Sequence, residues 1–175
     1  MKVIGIDLAA KEHRQSGVAV LEDGKLVKRL ILHTDKEIVD FVKKENPKVV
    51  AIDAPLTKVR KGYRKAEKEL IKVGIRPLPL GMPAMQLLSE RALRLKNKIK
   101  LLGTEVIETF PRGVGKVIGK IDEKNEHIRD AIYAAIAAYC YLKNYYNAYG
   151  NDEKIILPKR GLKFSRDRGY IWIKF

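Results

Sequence analysis

Three aspartates stand where apolar sequence should exclude a lone charge. Asp7 ends the run Val3-Ile4-Gly5-Ile6, Asp53 ends Val49-Val50-Ala51-Ile52, and Asp130 opens the run from Ala131 to Ala138. A buried carboxylate is costly unless it is paired or bound to a metal. Three of them on core elements point to a shared cation. His127 lies one helical turn before Asp130, hence on the same face. It is a candidate base, metal ligand or exposed helix-start residue. Glu108 closes the stretch Val106-Ile107 and divides evenly between ligand and loop anchor. The alternatives are ordinary: Asp7 as a turn cap, Asp53 as a turn-former before Ala54-Pro55, Asp130 as a helix N-cap.

Charge points to a polyanionic partner. The 175 residues carry 36 Lys+Arg against 21 Asp+Glu, a formal net charge of +15, and the pI is about 9.8. A thermophile-like surface rich in Lys and Glu accounts for the number of charges but not for their imbalance. The excess suits nucleic acid. Between residues 58 and 76 only Glu67 and Glu69 interrupt a basic cluster that follows directly from Asp53. Arg60, Lys61, Arg64, Lys65, Lys68 and Arg76 are its candidate phosphate contacts; a solvated helix face is the other reading. A second basic stretch, 158–175, mixes Lys159, Arg160, Lys163, Arg166 and Arg168 with Tyr170 and Trp172, a weaker pattern for single-strand stacking.

Other classes fall away. Cys140 is the lone cysteine, so intrachain disulfides and cysteine-based zinc sites are excluded. No apolar run reaches the roughly 18 residues of a membrane span, and a strand begins almost at once, so no signal peptide and a cytoplasmic location are expected. Gly113, Gly115 and Gly119 do not form a phosphate loop, because Val117 rather than Ser or Thr follows Lys116. They read as a flexible basic loop.

The elements that must position these groups follow from pattern. Residues 2–8, 17–21 and 25–32 read as strands, with Asp23-Gly24 as a tight hairpin turn. Thr34 and Glu37 form a capping box before a short helix that Asn46-Pro47 stops. Residues 48–53 are an apolar, central strand. A basic helix is expected over 60–73. A Pro-rich loop follows at 77–83, then a helix bearing Met85, Leu88, Ala92, Leu95 and Ile99. Residues 104–109 form a fifth strand and 126–147 the longest helix. The expected architecture is α/β, a mixed five-stranded sheet with its first three strands antiparallel and helices on both faces. Strand four should lie parallel to strand one and beside it. Asp7 and Asp53 then share the edge where ligands of open α/β sheets gather. One domain over 1–157 and a basic tail over 158–175 complete the expectation, with a terminal hairpin packed on the same domain as the tail's candidate form.

Gly5-Ile6-Asp7-Leu8, Ala51-Ile52-Asp53-Ala54-Pro55 and His127-Ile128-Arg129-Asp130-Ala131, in this strand order, resemble the ribonuclease H-like nuclease superfamily. The last motif is similar to the final helix of RuvC-type Holliday-junction resolvases, which carry an acidic residue or a His three positions before a catalytic Asp-Ala. The whole resembles more closely a family of predicted nucleases of ribonuclease H fold known by a domain-of-unknown-function label. Arg64-x-x-Glu67-x-x-Leu70, Arg76-Pro77, Arg91-Ala92 and Val106 to Pro111 add to that likeness, which covers about residues 1–157.

The resemblance implies phosphodiester hydrolysis of DNA or RNA with two Mg²⁺ or Mn²⁺ ions. It assigns Asp7, Asp53 and Asp130 as metal ligands, with His127 and Glu108 as further catalytic candidates. Resolvases prefer Glu where this chain has Asp53, and Glu108 is the residue that would compensate. A homodimer is the candidate assembly. Two other readings remain: a non-catalytic nucleic-acid-binding or scaffold protein of the same fold, and an actin-like or sugar-kinase-like ATP-binding protein. The second lacks its phosphate-binding hairpin, since the loop from Ala9 to Gly17 has no such pattern.

Overall fold

The computed structural model describes residues 1–59, 62–167 and 170–174. Arg60, Lys61 and Arg168 lie outside the described residues. In chain order the elements are β1 (Lys2–Asp7), β2 (Ser16–Glu22), β3 (Lys25–Leu32), α1 (Asp35–Glu45), β4 (Val49–Ile52), α2 (Lys65–Lys72), α3 (Pro83–Lys100), β5 (Glu105–Thr109), α4 (Pro111–Ile118), α5 (Glu126–Leu142), β6 (Tyr146–Tyr149), β7 (Ile155–Pro158), β8 (Lys163–Asp167) and β9 (Tyr170–Lys174).

Local chemistry explains the boundaries. Asp23 and Gly24 both take positive φ, 49° and 80°, which a primed hairpin turn between β2 and β3 requires. Thr34 Oγ1 accepts the Glu37 N–H at 3.1 Å, and the Glu37 carboxylate accepts the Thr34 N–H at 2.9 Å. Both halves of the capping box are therefore made. Asn46 ends α1 in the left-handed region.

The sheet is mixed, in the order β6-β7-β5-β4-β1-β2-β3-β9-β8. β1 runs antiparallel to β2 and parallel to β4, and β4 runs parallel to β5. Alternate residues of these strands feed two cores. Val3, Val49, Ala51 and Ile107 pack with α5, α4 and α2 on one face. Ile4, Ile6, Val50, Ile52 and Val106 pack with α1 and α3 on the other. The period of two thus sets which helices each strand residue meets.

Three expectations are corrected. Among the described residues the sheet has nine strands, not five. The hairpin of β6 and β7 extends it beyond β5, and the hairpin of β8 and β9 extends it beyond β3. The helix expected over 126–147 ends at Leu142, because Asn144 takes a positive φ of 56° and turns the chain into β6. The glycines at 113 and 115 belong to helix α4 rather than a flexible loop. A Cβ on Gly113 would stand 3.1 Å from Leu157 and one on Gly115 3.2 Å from Tyr133. Their smallness serves close packing of α4. No helix among the described residues is long and apolar enough to cross a membrane.

Candidate functional site

The parallel pairing of β1 and β4 brings two of the three aspartates together. Ile6 is in register with Ile52, and the Asp53 N–H donates to the Ile6 carbonyl at 2.9 Å. Asp7 and Asp53 are therefore the next step of the same ladder. Ile6 and Ile52 face α1 and α3, so alternation turns Asp7 and Asp53 toward α5.

Glycine brings α5 to them. A Cβ on Gly5 would lie 2.0 Å from the Ala135 nitrogen and 2.2 Å from the Ala131 oxygen; one on Gly17 would lie 2.0 Å from the His127 oxygen. The helix rests directly on the β1 and β2 backbones at those points. Asn125 caps it, accepting the Ile128 N–H, so Asp130 is past the first turn rather than a cap. His127 Nδ1 lies 2.8 Å from Asp7 Oδ2. Asp130 accepts from Arg129 Nε at 3.2 Å.

Glu108 lines the same cleft as the three aspartates, but its carboxylate is already engaged by Arg64 and the Leu56 N–H. It is in register with Ile52 and so projects toward the opposite face of the sheet from Asp53. Its carboxylate accepts the Leu56 N–H at 2.9 Å and Arg64 Nη1 at 3.1 Å. Arg64 also binds Glu67. Burial opposes the charge on Arg64, but the bonds to Glu108 and Glu67 outweigh it and hold the guanidinium more firmly protonated than usual. Arg64 is thus an internal clamp joining the start of α2 to the end of β5, not part of a free basic face. Lys65 bonds Asn151 and pairs with Glu69. Lys68 and Arg76 are exposed.

Asp7, Asp53 and Asp130 line one cleft of about 230 Å³ together with Arg64, Arg112 and an apolar side formed chiefly by Leu78, Leu80, Met85, Leu88 and Phe110. All three acids hold their protons more tightly than an ordinary aspartate. For Asp53 the rise is large: burial comes first, then repulsion from Asp7, Asp130 and Glu108, with Arg112 opposing. Asp53 keeps some exposed surface, yet its surroundings are dense enough for desolvation to dominate. Burial also raises Asp7, against the bond from His127, and repulsion from Asp130 adds to it. Burial raises Asp130 against Arg129. A site that disfavours three negative charges favours a cation among them.

The donors are all carboxylate oxygens, which suits a hard divalent ion. Among the described residues, however, no three His, Cys, Asp or Glu side chains are placed as a ready-made metal-ligand group.

Two further arginines bear on the site: Arg112, which lies outside the motifs above, and Arg91, whose Arg91-Ala92 pair is among them with no site role assigned. Arg112, exposed in the first turn of α4, lines the cleft. The Phe110-Pro111 pair before it signals a helix start beside β5, where a cation one residue on would reach the sheet edge. Arg91 is fully buried. Its guanidinium binds Asp35 at 2.8 Å and donates to the Ala9 carbonyl at 2.7 Å and to the His33 carbonyl. It fixes the backbone two residues beyond Asp7. Cys140 is an internal packing residue, its thiol pushed up to about 12 by burial.

No protein-family model matches the chain, and no curated protein matches it by sequence. Solved structures share its fold. RuvC of Thermus thermophilus in complex with a Holliday junction substrate aligns with a TM-score of 0.51 at 14% identity, over 82% of this chain and 96% of that one. Another structure of Thermus thermophilus RuvC gives 0.50 at 14% identity, over 82% and 97%. The trimeric exonuclease PhoExo I from Pyrococcus horikoshii OT3 aligns at 0.34 and 13% identity, over 99% and 97%, too remote to carry an argument. At these identities the RuvC likeness establishes the fold: an α/β, ribonuclease H-like arrangement of a mixed sheet and helices.

Proposed function

We propose that the protein is a metal-dependent nuclease that hydrolyses phosphodiester bonds of DNA or RNA. The observation that carries this reading is the convergence of Asp7, Asp53 and Asp130, each above its ordinary pKa, on one cleft of a strongly basic protein. A half-buried acidic trio opposes net attraction of a polyanion unless a cation joins it. Mg²⁺ or Mn²⁺ held by these carboxylates would activate water and neutralise charge on the phosphoryl oxygens.

The chain's own residues have distinct tasks in this reading. Asp7, Asp53 and Asp130 supply the oxygen donors. His127 orients the Asp7 carboxylate through its 2.8 Å contact at Nδ1, and Nε2 is the nitrogen left for proton exchange. Arg112 presents a cation to the scissile phosphate across from Asp53 and Asp130. Glu108 acts through Arg64, holding α2 and the loop after Asp53 against the cleft. Lys68 and Arg76 offer exposed phosphate contacts near the same edge.

A second reading, a nucleic-acid-binding protein of this fold without catalysis, is favoured by the lack of a ready-made ligand group among the described residues. A cleavage panel separates the two: structured and unstructured DNA and RNA, each with Mg²⁺ or Mn²⁺. Cleavage by the wild type that Asp53→Asn abolishes, with binding retained, supports the nuclease. Binding with no cleavage under either ion supports the second reading.

A further inference from the structure

The apolar side of the cleft has no task in the chemistry above. Leu78, Leu80, Met85, Leu88 and Phe110 face the same space as the carboxylates. Leu78 is 47% exposed, and Met82, one turn before Met85, is 46% exposed. Large apolar side chains therefore stand uncovered at and beside the lip of an acidic cleft in a protein of net charge +15.

A sugar-phosphate backbone gains nothing from such a wall. In a duplex the apolar faces of the bases are covered by their stacked neighbours, and only an unpaired base offers a flat apolar surface to protein. Size points the same way. At about 230 Å³ the cleft is below the roughly 300–1,000 Å³ usual for small-molecule sites. It has room for the base of one nucleotide, not for a stack of pairs.

The two arginines of the cleft differ in a way that completes the fit. Arg64 is already neutralised by Glu67 and Glu108. Arg112 is exposed and makes no side-chain hydrogen bond or salt bridge with any described residue, though its charge is felt by Asp53 and Asp130. Its guanidinium is free to take a phosphate oxygen beside the carboxylates.

We infer that the cleft binds a single unpaired nucleotide, its base against the Leu78–Met85 wall and its phosphate between Arg112 and the three aspartates. The substrate class is accordingly single-stranded nucleic acid, or a strand whose target nucleotide leaves the duplex. This inference rests on the proposed nuclease reading for its phosphate, and on the apolar wall for its base.

Binding tests it without cleavage. The full-length Asp53→Asn variant is titrated by fluorescence anisotropy, at one salt concentration, against a short oligothymidylate, an oligouridylate, an abasic sugar-phosphate chain of equal length and an oligothymidylate–oligoadenylate duplex. Either or both single strands should bind about tenfold or more tightly than the abasic chain and the duplex; the better of the two names the source as DNA or RNA. Adding Leu78→Ser and Met85→Ser should bring the single strands to the abasic level while leaving abasic binding unchanged. Leu78→Ser alone, at an exposed position, should do so in part and guards against a folding defect. Equal binding of based and abasic chains overturns the inference, as does an equal loss for both in the wall variants. If the base preference holds but the wild type cleaves nothing with Mg²⁺ or Mn²⁺, the nuclease reading falls and the nucleotide site stands. If the wild type cleaves paired duplex as fast as single strands, the nuclease reading stands and this inference falls.

Discussion

His127 on α5 and Asp7 on β1 are joined side chain to side chain, Nδ1 to Oδ2 at 2.8 Å, across 120 residues of sequence. The contact uses one ring nitrogen, and the side chain remains 39% exposed. If Nε2 transfers a proton in the reaction, His127→Ala should lower the cleavage rate by roughly 10²–10⁴-fold. If the ring only orients Asp7, the loss should be nearer about 10–100-fold and show in metal affinity. His127→Asn, which can still donate to Asp7, should then recover most of it. Rates measured across Mn²⁺ concentrations distinguish the two, and an effect under a few-fold for His127→Ala returns it to a helix-start residue.

The carboxylate trio makes a prediction about stability and pH. Asp53 binds its proton more tightly folded than unfolded. Its contribution to stability is therefore full below the ordinary Asp pKa of about 3.9 and is lost as pH rises through the raised folded value. Asp53→Asn removes this dependence. In chelator the variant should melt like the wild type in acid and above it as pH climbs toward neutral. Added Mn²⁺ should reverse the order, since an ion that binds only the folded wild type stabilises it by about 2.7 kcal/mol at 100 times its Kd. A variant less stable at every pH, with a wild type indifferent to Mn²⁺, would make Asp53 a structural turn residue.

Periodicity makes the central part of this fold readable. Continuous apolar runs identify β1 and β4 as buried strands, and the crossover rule places Asp7 beside Asp53 from sequence alone. The capping box and the Asp23-Gly24 turn are equally plain because each rests on a few adjacent residues. The misses have physical causes. β6 follows an apolar helix after only the short polar break Lys143-Asn144, and the left-handed Asn144 turns the chain. Gly113 and Gly115 signal freedom in isolation and close packing in context. Glu108 looks equivalent to Asp53 in sequence because each closes an apolar run, but one residue of register sends it to the other face. Arg64 looks like a surface cation because Glu108, its partner, is 44 residues away in sequence.

That clamp is testable as a unit. The Arg64 and Glu108 side chains are 15% and 6% exposed. Breaking a buried pair by removing one partner costs about 3–5 kcal/mol, because the other charge is left uncompensated. Arg64→Met should destabilise within that range in urea unfolding. Arg64→Met with Glu108→Gln should recover part of the loss, since only Glu67 is then left with an uncompensated charge. Additive losses in the double variant would deny the coupling.

Salt dependence locates the basic side chains that grip phosphate. For every phosphate a variant no longer neutralises, the slope of log K against log salt should flatten by about 0.9 on duplex DNA or about 0.7 on a single strand. Lys68→Ala, Arg76→Ala and Arg112→Ala should each do so. Arg64→Met should not, because its charge already faces Glu67 and Glu108. A flattened slope for Arg64→Met alone would place the nucleic acid against α2's first turn instead.

The packing of α5 on the sheet gives the sharpest structural test. A methyl group at Gly5 would meet backbone atoms of Ala131 and Ala135 at 2.2 and 2.0 Å, and one at Gly17 would meet the His127 carbonyl oxygen at 2.0 Å. Backbone cannot swing aside as a side chain can, so the helix must lift. Overpacking of this kind costs about 1–3 kcal/mol, sometimes more. Gly115→Ala is the control, because its methyl would meet only the Tyr133 ring at 3.2 Å, and it should cost less. Lifting α5 at Gly17 also withdraws His127 from Asp7, at the helix end that carries Asp130. Gly17→Ala should therefore lose cleavage activity at temperatures where circular dichroism shows it folded, while Gly115→Ala keeps activity whenever it is folded. If Gly17→Ala remains both stable and active, α5 can reach the sheet without this close approach, and the glycines do not set the position of the site.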